Sequence, residues 1–162
     1  MLDYPFADLP APGKTLSVAE GVHWLRMPLP FALDHINLWL LEDGTQLVPV
    51  DTGIGQEPIK THWASVLAAH GDRSIERILI THCHPDHLGL AAWLSARCKA
   101  ELWMTQGEYL GGHAFWHRLP GYHTSDMLQQ FRRHGLDEAR CDALEARGNA
   151  FRKGVPEMPE RY

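Results

Sequence analysis

Cysteine is scarce in this chain. Its 162 residues carry three, Cys83, Cys98 and Cys141, odd in number and without close pairing. A disulfide framework is therefore excluded as the basis of the fold, and the thiols read as reduced. No apolar run approaches the roughly 20 residues that cross a bilayer, and no basic-then-apolar stretch opens the chain. The expected address is the cytoplasm, with no membrane partner. Positive charge is also in short supply: the formal net charge is −5 and the pI near 6.1. That balance argues against a chain whose main task is to grip nucleic acid or an anionic membrane. Internal repeats and low-complexity tracts are missing too, which excludes solenoids and linkers.

What remains is globular material. Apolar residues make up 44%, with six tryptophans and five phenylalanines, enough for one domain with a real core. Residues 1–15, with Pro5, Pro10, Pro12 and Gly13, predict an irregular arm. Residues 18–28 alternate as a strand does. Two β-prone runs, 36–41 and 47–50, flank an Asp43-Gly44 turn signal and predict a hairpin. Pro49 has no N–H for a sheet ladder and so belongs at an edge, a bulge or a non-bonding position. The period then changes. Ile59, Trp63, Val66 and Leu67 recur at helical spacing, with Gly71 as the C-cap. A strand over 75–81 follows, then a helix opened by Pro85 and carrying Leu88, Ala91, Ala92, Leu94 and Ala96, then a strand over 100–104. Beyond Thr105 the pattern is helical, with breaks at Gly111 and Gly112 and again at residues 119–121. The tail, "GVPEMPERY", predicts a loop over 154–162. Strands in hairpins followed by strand–helix alternation make an α/β chain with a mixed sheet.

The chemistry concentrates in "THCHPDHLG". His82, Cys83, His84, Pro85, Asp86 and His87 follow directly on a strand, at the end where open α/β sheets place ligands. In an extended chain His82 and His84 project to one side and Cys83 to the other. Pro85 turns the chain into a helix whose first turn holds Asp86 and His87. Two imidazoles from the strand end and a carboxylate plus imidazole from the helix start are thus expected to converge on one small volume. Imidazole and carboxylate are the donors of catalytic, water-bearing zinc, iron or manganese sites. Alone, Asp86 would be an ordinary first-turn acid facing the helix dipole. The whole H-x-H-x-D-H pattern should arise by accident in only ~0.3% of chains this rich in histidine.

With "LVPVDTG" about thirty residues earlier, this signature resembles the metallo-β-lactamase fold superfamily of metallohydrolases. "LPFALDHINLWLLEDG" and "AELWMTQGEYL" are similar to a bacterial branch related to hydroxyacylglutathione thioesterases. The resemblance runs from about residue 18 onward. It implies a four-layered αβ/βα sandwich of which residues 1–162 form the amino-terminal half, one partial domain with a mixed β-sheet and helices on one face. It implies a divalent metal cofactor, zinc first and iron or manganese as alternatives. His82 and His84 would bind a first metal, and Asp86 and His87 a second. Asp86 would also act catalytically by orienting the attacking hydroxide. Asp51 would support the site from a neighbouring strand end, and Gly53 would permit the tight turn there. The implied activity is hydrolysis of an ester, thioester or related bond in a small-molecule substrate, by water whose pKa the metal lowers.

The chain departs from the family after Glu101. Relatives complete the site with a histidine in a Gly-His pair, a bridging aspartate and a final histidine. Here only Gly112-His113 is a Gly-His pair, too early and in a helical context, and Asp126, Asp137 and Asp142 stand in helical patterns. The expectation is an amino-terminal half, inactive alone, with a sheet face left for the missing half or for a homo-oligomer partner. His113 and His117, four apart, could chelate but lack a nearby carboxylate; His123 and His134 read as loop and helix-surface residues. Trp93 and Trp103 are expected in the core, and Trp116 and Tyr122 beside a substrate entrance. Two further readings are a metal-free domain kept for binding or assembly, and a metal-dependent nuclease of the same fold. The intact H-x-H-x-D-H set speaks against the first. The nuclease would need a basic groove, for which "FRRHG" at 131–135 is the one candidate.

Overall fold

The computed structural model describes residues 5–148 and 150–162. The strands β1 (Thr15–Ala19), β2 (Val22–Pro28), β3 (His35–Asp43) and β4 (Gln46–Val50) run antiparallel in chain order. Asp43 pairs with Gln46 across Gly44 and Thr45, a two-residue turn in which Gly44 takes a φ of 59°. Glycine reaches that conformation at low cost, which is why Asp-Gly marks the hairpin. The helix α1 (Glu57–Ala69) carries the chain back so that β5 (Arg77–Leu79) lies parallel to β4. The short α2 (Pro85–Leu88) and α3 (Ala91–Cys98) do the same for β6 (Glu101–Trp103), which is parallel to β5. The result is a six-stranded mixed sheet in the order β1-β2-β3-β4-β5-β6. Four helices follow: α4 (Gln106–His117), α5 (Thr124–Arg133), α6 (Glu138–Arg147) and α7 (Phe151–Gly154). Among the described residues no helix is long and apolar enough to cross a membrane.

The two faces of the sheet differ. On one, Leu25, Met27, Leu38, Leu40 and Ile78 are fully buried against Ile59, Trp63 and Val66 of α1 and Leu94 of α3. Trp63 is the largest of these, and its indole Nε1 donates to the carbonyl of Thr52 at 2.7 Å. The other face carries a continuous apolar row. Leu16 pairs with Trp24, Trp24 with Trp39, Trp39 with Val50, Val50 with Leu79 and Leu79 with Trp103, one residue from every strand. Trp39 is 37% exposed and Trp103 48%.

Several expectations need correction. The arm ends one residue earlier than expected, because β1 starts at Thr15; residues 1–4 lie outside the described residues. What reads as one strand from residue 18 is a hairpin of β1 and β2, turning at Gly21 with φ 67°. The strand expected over 75–81 forms ladder pairs only from Arg77 to Leu79. The helix opened by Pro85 breaks after Leu88 and restarts at Ala91. Conversely, α4 runs unbroken through Gly111 and Gly112. Gly112 is buried there, and a Cβ at that position would stand 3.3 Å from both Cys83 Cβ and Leu88 Cδ2, so the glycine allows close packing rather than a bend. Trp103 belongs to the uncovered face, not the core.

The tail is docked. After α7 it has no regular structure, yet Val155 is fully buried. Trp116 Nε1 donates to Val155 O at 3.0 Å, and Tyr109 Oη donates to Glu160 O at 2.9 Å. Three backbone segments meet where α7 reaches the β4 and α2 ends: Gly55 N donates to Gly154 O at 2.7 Å. A Cβ on Gly89 would fall 2.5 Å from Gly154 O, Gly55 N and Pro85 O. No flexible side chain can yield there. Gly89→Ala is therefore expected to destabilise the fold by about 3 kcal/mol, the upper range for overpacking, as read from a urea melt.

Candidate metal centre

The site forms where β4 and β5 end side by side and α2 begins. Asp51, the residue after β4, is 5% exposed and adopts φ 63°, a left-handed conformation that aspartate and asparagine tolerate better than most residues. That twist turns its carboxylate toward the end of β5. Oδ1 accepts from Thr81 N at 2.8 Å, and Oδ2 accepts from Thr81 Oγ1 at 2.8 Å. Oδ2 also stands 2.7 Å from His87 Nδ1. Thr52, fully buried, ties the same corner to α2: its N and Oγ1 both donate to His87 O at 2.8 Å, and Oγ1 accepts from Leu90 N at 3.1 Å. Gly53 follows with φ 82°, so the turn rests on glycine's freedom.

These anchors bring the histidines together. His82 Nε2 lies 3.1 Å from His84 Nδ1, with the rings edge to face at 4.7 Å. The rings of His82 and His87 are 3.9 Å apart, and His87 Nε2 stands 3.6 Å from Asp86 Oδ2. Cys83 points the other way and is buried; its backbone N donates to Glu108 Oε2 at 2.8 Å. Burial, together with the Glu108 carboxylate, pushes the Cys83 thiol up to about 11. It stays protonated and does not compete as a thiolate ligand.

The electrostatics prepare the imidazoles unequally. Burial, then the neighbouring His87 and His84, holds His82 below the usual histidine range, so its lone pair is available at neutral pH. Burial also pulls on His87, but the hydrogen bond to Asp51 and the charges of Asp51 and Asp86 outweigh it and raise its pKa. For Asp51, burial pushes the carboxyl up, and the bonds from His87 and Thr81 outweigh it to leave the pKa lowered. The Asp51–His87 pair therefore contributes to folding from both partners in one window. Asp51's share is lost as pH falls through its lowered pKa. His87's share is full below its unfolded value near ~6.5 and lost as pH rises through its raised pKa.

Two ligand atoms on one tetrahedral zinc, each about 2.0–2.1 Å from it, stand about 3.3 Å apart. The 3.1 Å between the His82 and His84 nitrogens and the 3.6 Å between Asp86 and His87 are of that size. Yet among the described residues no group of three or more histidine, cysteine, aspartate or glutamate side chains is arranged to hold an ion. The four side chains nevertheless stand close together, with the ring of His82 4.7 Å from that of His84 and 3.9 Å from that of His87. Imidazoles and a carboxylate, with one imidazole held at Nδ1 by a buried acid, suit a divalent cation.

Other candidates lie elsewhere. The His113 and His117 rings stack at 5.7 Å on α4, and His113 Nε2 contacts Pro159 O at 3.2 Å, toward the tail. His123 and His134 are the exposed residues that flank α5 at its two ends. Asp137 caps α6, and Asp126 accepts from Gly121 N. Trp116 serves the tail and lies under Arg152 at 4.0 Å, while Tyr122 packs edge-on against Phe115. Three residues of the site escape the sequence reading: Thr52, Thr81 and Glu108. The first two sit beside aspartate and histidine in ordinary strand-end positions. Glu108 had a signal, since Thr105-x-x-Glu108 is a capping box; Thr105 Oγ1 does accept from Glu108 N, while the glutamate side chain turns to Cys83.

Comparison with known proteins agrees with this geometry. A family model described as the metallo-beta-lactamase superfamily matches residues 32–154. The structure of a beta-lactamase domain protein from Burkholderia ambifaria superposes with a TM-score of 0.75 at 44% identity, covering 99% of this chain and 45% of that one. A metallo-beta-lactamase family protein from Thermus thermophilus superposes at 0.63 with 27% identity, covering 90% of this chain and 47% of the other. Among curated proteins, a "Beta-lactamase-like protein 2 homolog" from Caenorhabditis elegans is 43% identical over 65 residues, 38% of this chain and 21% of that protein. The chain thus spans less than half the length of each of these three relatives. With a family model matched over residues 32–154, most of its length, the chain belongs to the metallo-beta-lactamase superfamily.

Proposed function

We propose that this chain carries the metal-holding corner of a hydrolase that cleaves an ester, thioester or related bond in a small-molecule substrate. The carrying observation is the pairing of His82 with His84 and of Asp86 with His87, with Asp51 fixing the outer nitrogen of His87. His82 and His84 would hold one divalent ion and Asp86 and His87 a second; zinc suits these donors best, with iron or manganese as alternatives. When bound, such an ion lowers the pKa of its water toward neutrality and polarises the scissile carbonyl. Asp86 accepts a hydrogen bond from the water and sets its direction of attack. Asp51 holds the proton of His87 on Nδ1 and leaves Nε2 as the donor. The uncovered sheet face is proposed to be covered by a second sheet supplied by further chain, as the greater length of the relatives allows, or by a second copy.

The test is zinc titration calorimetry joined to a panel of thioester, lactone and phosphodiester substrates. With two donors for each ion, the 162-residue chain is expected to bind zinc well short of the about 10–16 kcal/mol of a closed four-ligand site. His84→Ala is expected to weaken zinc binding more than about 100-fold, beyond the loss caused by removing an outer-shell partner. Affinity is expected to fall as pH drops through the raised pKa of His87, by about tenfold per unit for the one proton that must leave. Binding that is pH-independent between pH 5 and 8, or unaffected by His84→Ala, would sink the assignment.

A further inference from the structure

A cavity of about 530 Å³ opens beside the donor pairs, between the loop after β2, the start of α2 and the helices α5, α6 and α7. Its size is within the range of about 300–1,000 Å³ in which small-molecule sites fall. Its wall is mainly apolar, with Phe31, Met127 and Phe131 among the lining residues. These three are 56%, 36% and 39% exposed, a degree of water contact that large apolar side chains leave when something covers them. Asp86 also lines the cavity, so the space is continuous with the proposed metal-holding side chains. Two cations complete it, Arg147 and Lys153. Among the described residues neither forms an ion pair, as Arg132 and Arg140 do with Glu138 and Asp137.

We propose that this cavity is the substrate-arm subsite: it takes an apolar chain or ring that bears an anionic group, the arm lying against Phe31, Met127 and Phe131 and the anion meeting Arg147 and Lys153. The scissile bond then lies toward Asp86. This rests on the hydrolase reading for the identity of the reacting bond, and it adds the class of substrate. An all-apolar ligand would leave two unpaired cations facing it. A small polar ligand would leave the aromatic wall wet. An apolar arm with a carboxylate or phosphate satisfies both.

The test uses metal-free 162-residue chain and three probes, decanoate, decanol and acetate, read by amide chemical shifts. Decanoate is expected to bind saturably, with shifts confined to α5, α6, α7 and the loop after β2. Decanol is expected to bind about fivefold more weakly, and acetate not to saturate, since each exposed ion pair contributes modestly. The double variant Arg147→Gln/Lys153→Gln is expected to bring decanoate to the level of decanol. Phe131→Glu is expected to abolish decanoate binding while its zinc affinity and urea midpoint stay those of the native chain. Equal binding of decanoate and decanol, shifts centred on Trp39 and Trp103 instead, or decanoate binding that survives Phe131→Glu would each overturn the subsite. Zinc titration of the native chain is scored separately: its failure removes the hydrolase reading, and the decanoate result still decides whether the cavity takes an anionic apolar arm.

Discussion

Replacing Asp51 by asparagine is expected to cost about 10- to 100-fold in zinc affinity, together with the stability that the Asp51–His87 charge pair adds near neutral pH. The two residues share a shape, and both accept the left-handed backbone at φ 63°. What changes is the direction of one proton. Asp51 Oδ1 and Oδ2 now receive Thr81 N, Thr81 Oγ1 and His87 Nδ1. An asparagine can keep its oxygen toward Thr81 only by turning its NH2 toward His87. Nδ1 must then accept, the imidazole proton moves to Nε2, and the lone pair facing Asp86 is lost. Calorimetry reads the affinity, and the nitrogen shifts of His87 read the tautomer. Asp51→Ala behaves differently. It strands buried donors on Thr81 and His87 and puts a poorly suited residue at a left-handed position, for an expected loss of about 3 kcal/mol. If the asparagine variant binds zinc as tightly as the native chain, Asp51 does not set the proton on His87.

The 162-residue chain, purified alone, is expected to self-associate through its uncovered sheet face, and the double variant Trp39→Glu/Trp103→Glu to be monomeric. The row from Leu16 through Trp24, Trp39, Val50 and Leu79 to Trp103 crosses every strand, with its two most exposed tryptophans at 37% and 48%. Contiguous apolar patches above a few hundred Å² are uncommon on soluble monomers and mark contact surfaces. Because neither tryptophan is in the buried core, the glutamates should remove association without lowering the unfolding free energy, read from a urea melt, by more than about 0.5 kcal/mol, as for ordinary surface changes. Sedimentation velocity distinguishes the outcomes. A native chain that sediments as a monomer at tens of micromolar would show that this face needs no cover.

Much of this was legible from spacing. The Asp43-Gly44 turn, the Ile59-Trp63-Val66 stripe and the family signature locate the sheet, α1 and the histidine corner without coordinates. Length was the weak point. Residues 75–81 look like one strand because Ile75, Ile78 and Ile80 are β-branched and all three are buried, but only Arg77 to Leu79 find a partner register. Gly111 and Gly112 look like a break because glycine lowers helix propensity, whereas at Gly112 close packing against Cys83 and Leu88 favours it. Trp103 looks like core because tryptophan usually is; its face is set by strand pairing, which a linear pattern does not reveal. In the site, the donors declared themselves by type. The residues that hold them in place did not, because Thr52 and Thr81 act through partners that lie 30 or more residues away.

The strand order has a consequence for how the protein is made. Because each strand pairs with its immediate predecessor, from β1 through β6, none must be threaded between two already in place. A ribosome releasing about 5–20 residues per second could lay the sheet down edge by edge, each new strand finding a finished template waiting. The histidine-bearing turn would emerge onto a scaffold already half built, and synonymous changes in translation speed upstream of it should matter little to the yield of native protein.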